Sequence, residues 1–164
     1  MNHNEIIEKL QQLGESPFGD EKDENPTDTE LSYYRRDSVS FASAIPIMHY
    51  WAHDKVLSML QKDDVVLDAG CGCCVFAYRA SLKVKKVYAI DLNVDLIIKA
   101  LSILSWNLPK NLIIICGDWV NFPVPKDVTV ITCLVNGAVI PFWWREHKRV
   151  FNKNEEITTI EKEA

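Results

Sequence analysis

The feature that most constrains this chain is a short turn, Asp68-Ala69-Gly70-Cys71-Gly72, which ends one apolar run and opens onto an amphipathic one. The run before it, VVLDA (65–69), has the β-branched texture of a strand, and CCVFAYRASLK (73–83) after it suits a helix. Glycines at positions 70 and 72 let the backbone turn sharply and approach a ligand with no Cβ in the way. A helix starting just beyond the turn offers free N–H groups. Strand, glycine turn and helix in that order direct the chain towards folds that bind ligands at the C-terminal edge of a sheet.

The alternation continues downstream. KVYAI (86–90) reads as a second strand ending in Asp91, which lies nineteen positions after Gly72. VDLIIKALSILSW (94–106) reads as a helix with Asn93 as its N-cap. NLIIIC (111–116) is a third strand running into Gly117-Asp118-Trp119, and DVTVITCLV (127–135) a fourth. Strands this apolar are covered on both faces, so a mainly parallel sheet with helices outside is expected: an α/β, Rossmann-like sandwich. In such a sheet an acid ending the second strand accepts hydrogen bonds from ribose hydroxyls, which assigns that task to Asp91. A glycine turn alone is a weak signal. Three consecutive strand ends bearing a glycine turn, an acid, and an acid beside an aromatic ring form a much more specific one.

VVLDAGCGCC, VYAIDLN and NLIIICGDWVNFP resemble the first three nucleotide-binding motifs of the class I S-adenosylmethionine (SAM) dependent methyltransferases. The resemblance covers roughly residues 64–135 and implies SAM as cofactor. It places Gly70, Cys71 and Gly72 against the methionine part of SAM, with Asp68 holding the turn. It gives Asp91 the ribose and lays Leu92 against the adenine. Asp118 would reach the adenine amino group, with Trp119 flanking the ring. An NAD-type site would want its third glycine where Val75 stands.

The chain departs from that family's pattern in two places. Cys74 occupies the position of the usual third glycine and adds a side chain to the turn. Only about 29 residues follow Val135, where the family completes a seven-stranded sheet ending in an antiparallel hairpin. WWREHKRV (143–150) reads as a helix and EEITTIEKE (155–163) as one last strand, so the expected domain is shortened at its C-terminus.

Upstream, residues 4–13 place Ile6, Ile7, Leu10 and Leu13 at helical spacing, and Gly14 is a stop. ESPFGDEKDENPTDTE has the composition of a linker, and a helix is expected over 39–61 with Pro46 kinking or dividing it. The organisation expected is thus an acidic N-terminal helix and linker (1–38) followed by a SAM-binding, methyltransferase-like domain (39–164). Residues 1–32 hold nine acids against two lysines, whereas the remainder has sixteen Lys and Arg against fourteen Asp and Glu. A nearly neutral body lacks the basic surplus usual in nucleic-acid binders. No apolar run approaches the roughly 18–20 residues that cross a bilayer. A polar, acidic N-terminus gives no secretory signal, so a cytoplasmic protein is expected.

Other clusters have bland readings beside functional ones. Cys71, Cys73, Cys74, Cys116 and Cys133 match no common zinc or iron–sulfur spacing, so no metal is expected and small residues suited to a turn are the simpler reading. Trp143 and Trp144 with Arg145, His147, Lys148 and Arg149 form either an amphipathic helix or a nucleic-acid or partner contact. Tyr33, Tyr34, Arg35 and Arg36 either fold over SAM or merely precede a helix. His49 and His53 share a helix face without an HExxH-type acid. Asn136-Gly137 stands where the family places its methyl-acceptor motif, but the Asn-Pro-Pro-Tyr form is missing, so no catalytic residue is assigned. Asp37 and His49 are candidates for a base.

The function expected is a SAM-dependent methyltransferase acting on a protein side chain or small molecule. A SAM-binding, non-catalytic subunit that works through a partner protein is the alternative, and an RNA methyltransferase the weaker one. The sheet edges left by a short C-terminus favour a homodimer or a place in a complex.

Overall fold

The computed structural model describes residues 1–13, 46–134, 149–152 and 158–159. In chain order these form α1 (His3–Leu13), α2 (Pro46–Met59), β1 (Val65–Ala69), α3 (Val75–Ser81), β2 (Lys86–Asp91), α4 (Val94–Leu104), a 3-10 turn (Ser105–Asn107), β3 (Leu112–Cys116), β4 (Val130–Cys133), β5 (Arg149–Asn152) and β6 (Thr158–Thr159). The strands make one sheet in the order β3-β2-β1-β4-β5-β6. The first five run parallel and β6 is antiparallel to β5. The chain therefore has the expected α/β, Rossmann-like architecture, with order reversing between β1 and β4.

Local chemistry explains the helix starts. In α1, Asn2 and Glu5 form a capping box: the Asn2 side chain accepts the Glu5 N–H at 2.9 Å, and Glu5 accepts the Asn2 N–H at 3.1 Å. Helix α2 begins at Pro46, where a missing N–H costs nothing; the part of the expected helix before it lies outside the described residues. Asn93 caps α4 as expected, accepting the Leu96 N–H at 3.2 Å.

Strands β1 and β4 are buried along their whole length. On one face, Val66, Val87, Ala89 and Val130 pack with Ile6 and Leu10 of α1 and with residues of α2, α3 and α4. On the other, Leu67, Ala69, Ile90 and Ile131 pack with Trp119, Phe122 and Val124 of the β3–β4 connection. Helix α1 lies across α3 and α4, and His3 Nδ1 meets the hydroxyl of buried Tyr78 at 2.7 Å. The first helix is thus part of the main core.

Two expectations for the C-terminal region are corrected. The helix expected over 143–150 does not extend to its end, because Arg149–Asn152 is strand β5. Residues 143–148 lie outside the described part. The region supplies two strands, β5 and β6, where one was expected. The reason is tertiary: Val150 and Phe151 are adjacent apolar residues buried in the cores on opposite faces of the sheet, which a strand permits and a helix does not. Arg149 anchors the strand by an ion pair with Asp64 at 3.0 Å and a bond to the Met59 carbonyl.

Candidate cofactor site

Parallel pairing in register brings the strand C-termini together. Ala69 pairs with Ile90, and Asp91 with Cys116, so the turn after β1, the acid of β2 and the loop after β3 share one edge of the sheet. The turn is held there by backbone bonds: the N–H groups of Gly70 and Cys71 both donate to the Ile90 carbonyl, at 2.8 and 3.1 Å. Gly70, Gly72 and Cys74 have φ of 75°, 55° and 66°. Glycine suits the first two. Cys74 adopts the same left-handed conformation with a side chain, at a cost of roughly 1–2 kcal/mol. The missing third glycine therefore leaves its conformational demand in place.

Asp91 is the hub. Its Oδ2 accepts the Gly72 N–H at 2.8 Å and its Oδ1 accepts the Asn93 N–H at 2.7 Å, while the residue is only 2% exposed. Its backbone carbonyl takes the Gly117 N–H at 2.9 Å, linking the third strand end to the second. Leu92 follows immediately and stands out into solvent, 64% exposed, as an apolar wall should if it is to meet a ring.

Asp68 lies beneath the turn, buried, with Oδ1 accepting the Thr132 hydroxyl at 2.9 Å and Oδ2 without a hydrogen-bond partner among the described residues. Burial raises its pKa from 3.8 to about 7; the bond from Thr132 opposes the shift and the negative charge of Asp91 adds to it. Thr132 was not visible as a site residue in the sequence, because only the β1–β4 pairing places it opposite Asp68.

Asp118 and Trp119 follow β3 at the same end of the sheet. Asp118 is exposed and turned onto its own loop: Oδ1 accepts the Val120 N–H at 3.0 Å and Oδ2 accepts the Asn121 amide at 2.7 Å. Trp119 is half-buried against the second core.

The cysteines divide by environment. Cys71, Cys73, Cys74 and Cys133 are buried and Cys116 is exposed. The Cys74 thiol donates to Cys71 sulfur at 3.7 Å. That contact and burial push the Cys71 thiol well above its ordinary value, and burial pushes Cys73 up to about 12. These are packed thiols in a turn. Among the described residues no group of three His, Cys, Asp or Glu converges to hold a metal ion.

His53 is buried edge-on to Phe76 with ring centroids 5.3 Å apart. Tyr33 to Asp37, Asn136-Gly137 and Trp143 to Lys148 lie outside the described residues, as does the side chain of His49. Among the described residues no helix is long and apolar enough to cross a membrane.

No family model and no curated protein matches the chain. Solved structures do resemble it. Trm5b from Pyrococcus abyssi is similar over 60% of this chain and 28% of its own, at 23% identity and a TM-score of 0.48. A dimethyladenosine transferase from Plasmodium falciparum is similar over 60% and 40%, at 22% identity and a TM-score of 0.48. A SAM-dependent methyltransferase from Aquifex aeolicus is similar over 50% and 47%, at 27% identity and a TM-score of 0.44. The chain spans less than half the length of each.

Proposed function

We propose that the chain binds S-adenosylmethionine at these strand ends and is a SAM-dependent methyltransferase acting on a protein side chain or a small molecule. The observation that carries this reading is the Gly72–Asp91 hydrogen bond at 2.8 Å, which joins the glycine turn to the acid of the second strand. The site lies beside the β1/β4 reversal, where open α/β sheets take their ligands.

The residues suit the group. Asp91 places its carboxyl group at the end of β2, the position from which an acid in an open α/β sheet takes ribose hydroxyls. Leu92 offers an apolar face to adenine, and Asp118 and Trp119 follow β3 at the same end of the sheet. Asp68, when ionised, joins Asp91 in placing negative charge under a ligand whose sulfonium and ammonium are positive. When bound, SAM supplies a methyl group on a sulfur that is already a good leaving group. The chain's own residues then hold the acceptor in line and exclude water. A methyltransferase of this kind needs a base only when the acceptor arrives protonated.

The second reading, a SAM-binding subunit that works through a partner, needs the same binding step. Asp91 is 2% exposed beneath a turn that already contains the left-handed Cys74, so the turn must shift before a ribose reaches the acid. The RNA methyltransferase reading rests on the tryptophan-and-basic cluster at 143–149 and has no further support.

Calorimetric titration with SAM and S-adenosylhomocysteine tests the binding step. Wild type should bind both, and Leu92→Ala should weaken binding by about tenfold, the worth of part of a buried leucine, without changing the melting temperature. Transfer of labelled methyl groups to protein or small-molecule acceptors then separates the enzyme from the inactive subunit. A folded wild type that binds neither ligand defeats both SAM readings.

A further inference from the structure

Helix α4 carries two apolar stripes, and its own fold uses one. Ile97, Ala100 and Leu104 are buried in the domain. Val94, Ile98 and Leu101, spaced at i, i+4 and i+7, fall on a neighbouring face of the helix and are exposed, Ile98 by 58%. Ser105 ends the helix with φ of 36°, so the chain leaves the helical path just before Trp106, which is 100% exposed. Leu108 beyond it is exposed as well. Helix α4 packs on β3, and β3 is the edge of the sheet among the described strands.

We propose that this face, the α4 stripe with Trp106 and the β3 edge, is where a second copy of the chain docks. The five side chains leave on the order of 500 Å² of apolar surface in water, towards the top of the range for a monomer's largest patch. It matches the apolar share, a little over half, of the ~800 Å² that each partner contributes to a stable interface. The stripe is straight and free of charge, since Asp95, Lys99 and Ser102 project from the flank of the helix. Such a ridge packs against its own copy around a two-fold axis without setting like charges face to face. A tryptophan standing wholly in water has the character of a buried interface anchor. The same packing covers the exposed backbone groups of an edge strand, which an unpartnered copy leaves open to indiscriminate pairing.

Sedimentation equilibrium of the 164-residue chain tests this directly. Wild type should be dimeric with a dissociation constant below about 10 µM. Ile98→Lys and Trp106→Ala should each weaken the dimer at least about 30-fold, as loss of an interface anchor does. Lys99→Ala, on the flank of the same helix, should leave the affinity unchanged. Far-UV circular dichroism spectra of all variants should match wild type, because the substituted side chains are exposed. A wild type that stays monomeric up to about 100 µM overturns the proposal and gives the face to a different protein. A dimer that survives Ile98→Lys and Trp106→Ala unweakened also overturns it, by placing the interface elsewhere. Neither result depends on whether SAM binds.

Discussion

The backbone N–H of Gly72 donates to Oδ2 of Asp91 at 2.8 Å, a bond made between residues nineteen apart in sequence. It makes Asp91 both a ligand candidate and the anchor of the turn. Removing the carboxylate frees two N–H groups near the base of the site, and bonds to a charged acceptor are worth roughly 1.5–3 kcal/mol each. Asp91→Ala should therefore destabilise the protein by about 3–6 kcal/mol as well as abolish SAM binding. Asp91→Asn keeps one acceptor oxygen and should cost less stability while still impairing binding. Urea denaturation beside calorimetry separates the two effects; an Ala variant as stable as wild type would show that the carboxylate does not hold the turn.

Asp68 makes stability depend on pH. Its carboxyl titrates near 3.8 when unfolded and about 7 when folded, so the folded state holds the proton more tightly across that interval. Stability is therefore highest below about pH 4 on this group's account and falls as pH rises to about 7, by on the order of 4 kcal/mol. Asp68→Asn should flatten that part of the profile, measured as urea midpoints between pH 4 and 8. If SAM binds, its positive centre favours the ionised carboxylate, so affinity should rise with pH through the same region and level off above it.

Cys74 should reverse the ordinary ranking of alanine and glycine. Both substitutions remove the thiol, but only glycine is at ease at φ of 66°. Cys74→Gly should be more stable than Cys74→Ala by about 1 kcal/mol, whereas in a helix interior glycine is worse by a similar amount. Thermal melts of the pair check this. Alanine equal to or better than glycine would mean that the turn relaxes out of the left-handed region.

Asp64 ties the sheet to the end of α2. It accepts from the Gln61 N–H at 2.6 Å, the Thr129 hydroxyl at 3.0 Å and the Arg149 guanidinium at 3.0 Å. Asp64→Ala leaves all three donors without this acceptor and should cost about 3–5 kcal/mol, more than Arg149→Ala. The double variant should cost less than the sum of the two, a coupling that a double-mutant cycle reads directly.

Much of the site was legible because its signals are local. The glycines at 70 and 72, the capping Asn93 and the acid after VYAI depend on neighbours within a few residues, where turn geometry and hydrophobic period act. Helix α1 was legible for the same reason, from Ile6, Leu10 and the spacing around them. Its docking across α3 and α4 was not, since nothing near it in sequence names its partner.

By itself, then, the sequence determined that strands and helices alternate from Val65 to Cys116 and that a glycine turn and two acids stand at strand ends. Only the tertiary structure decided that Asp91 bonds to Gly72, that Thr132 meets Asp68, and that Arg149–Asn152 becomes a strand. The physical reason is range. Propensity and periodicity operate over a turn or two, whereas strand order is chosen by burying apolar surface from distant segments together. The Asp68–Thr132 bond spans 64 residues and exists because β1 and β4 pair in one register. That pairing also buries the carboxyl, so the shifted titration of Asp68 is a property of the fold and not of the residue.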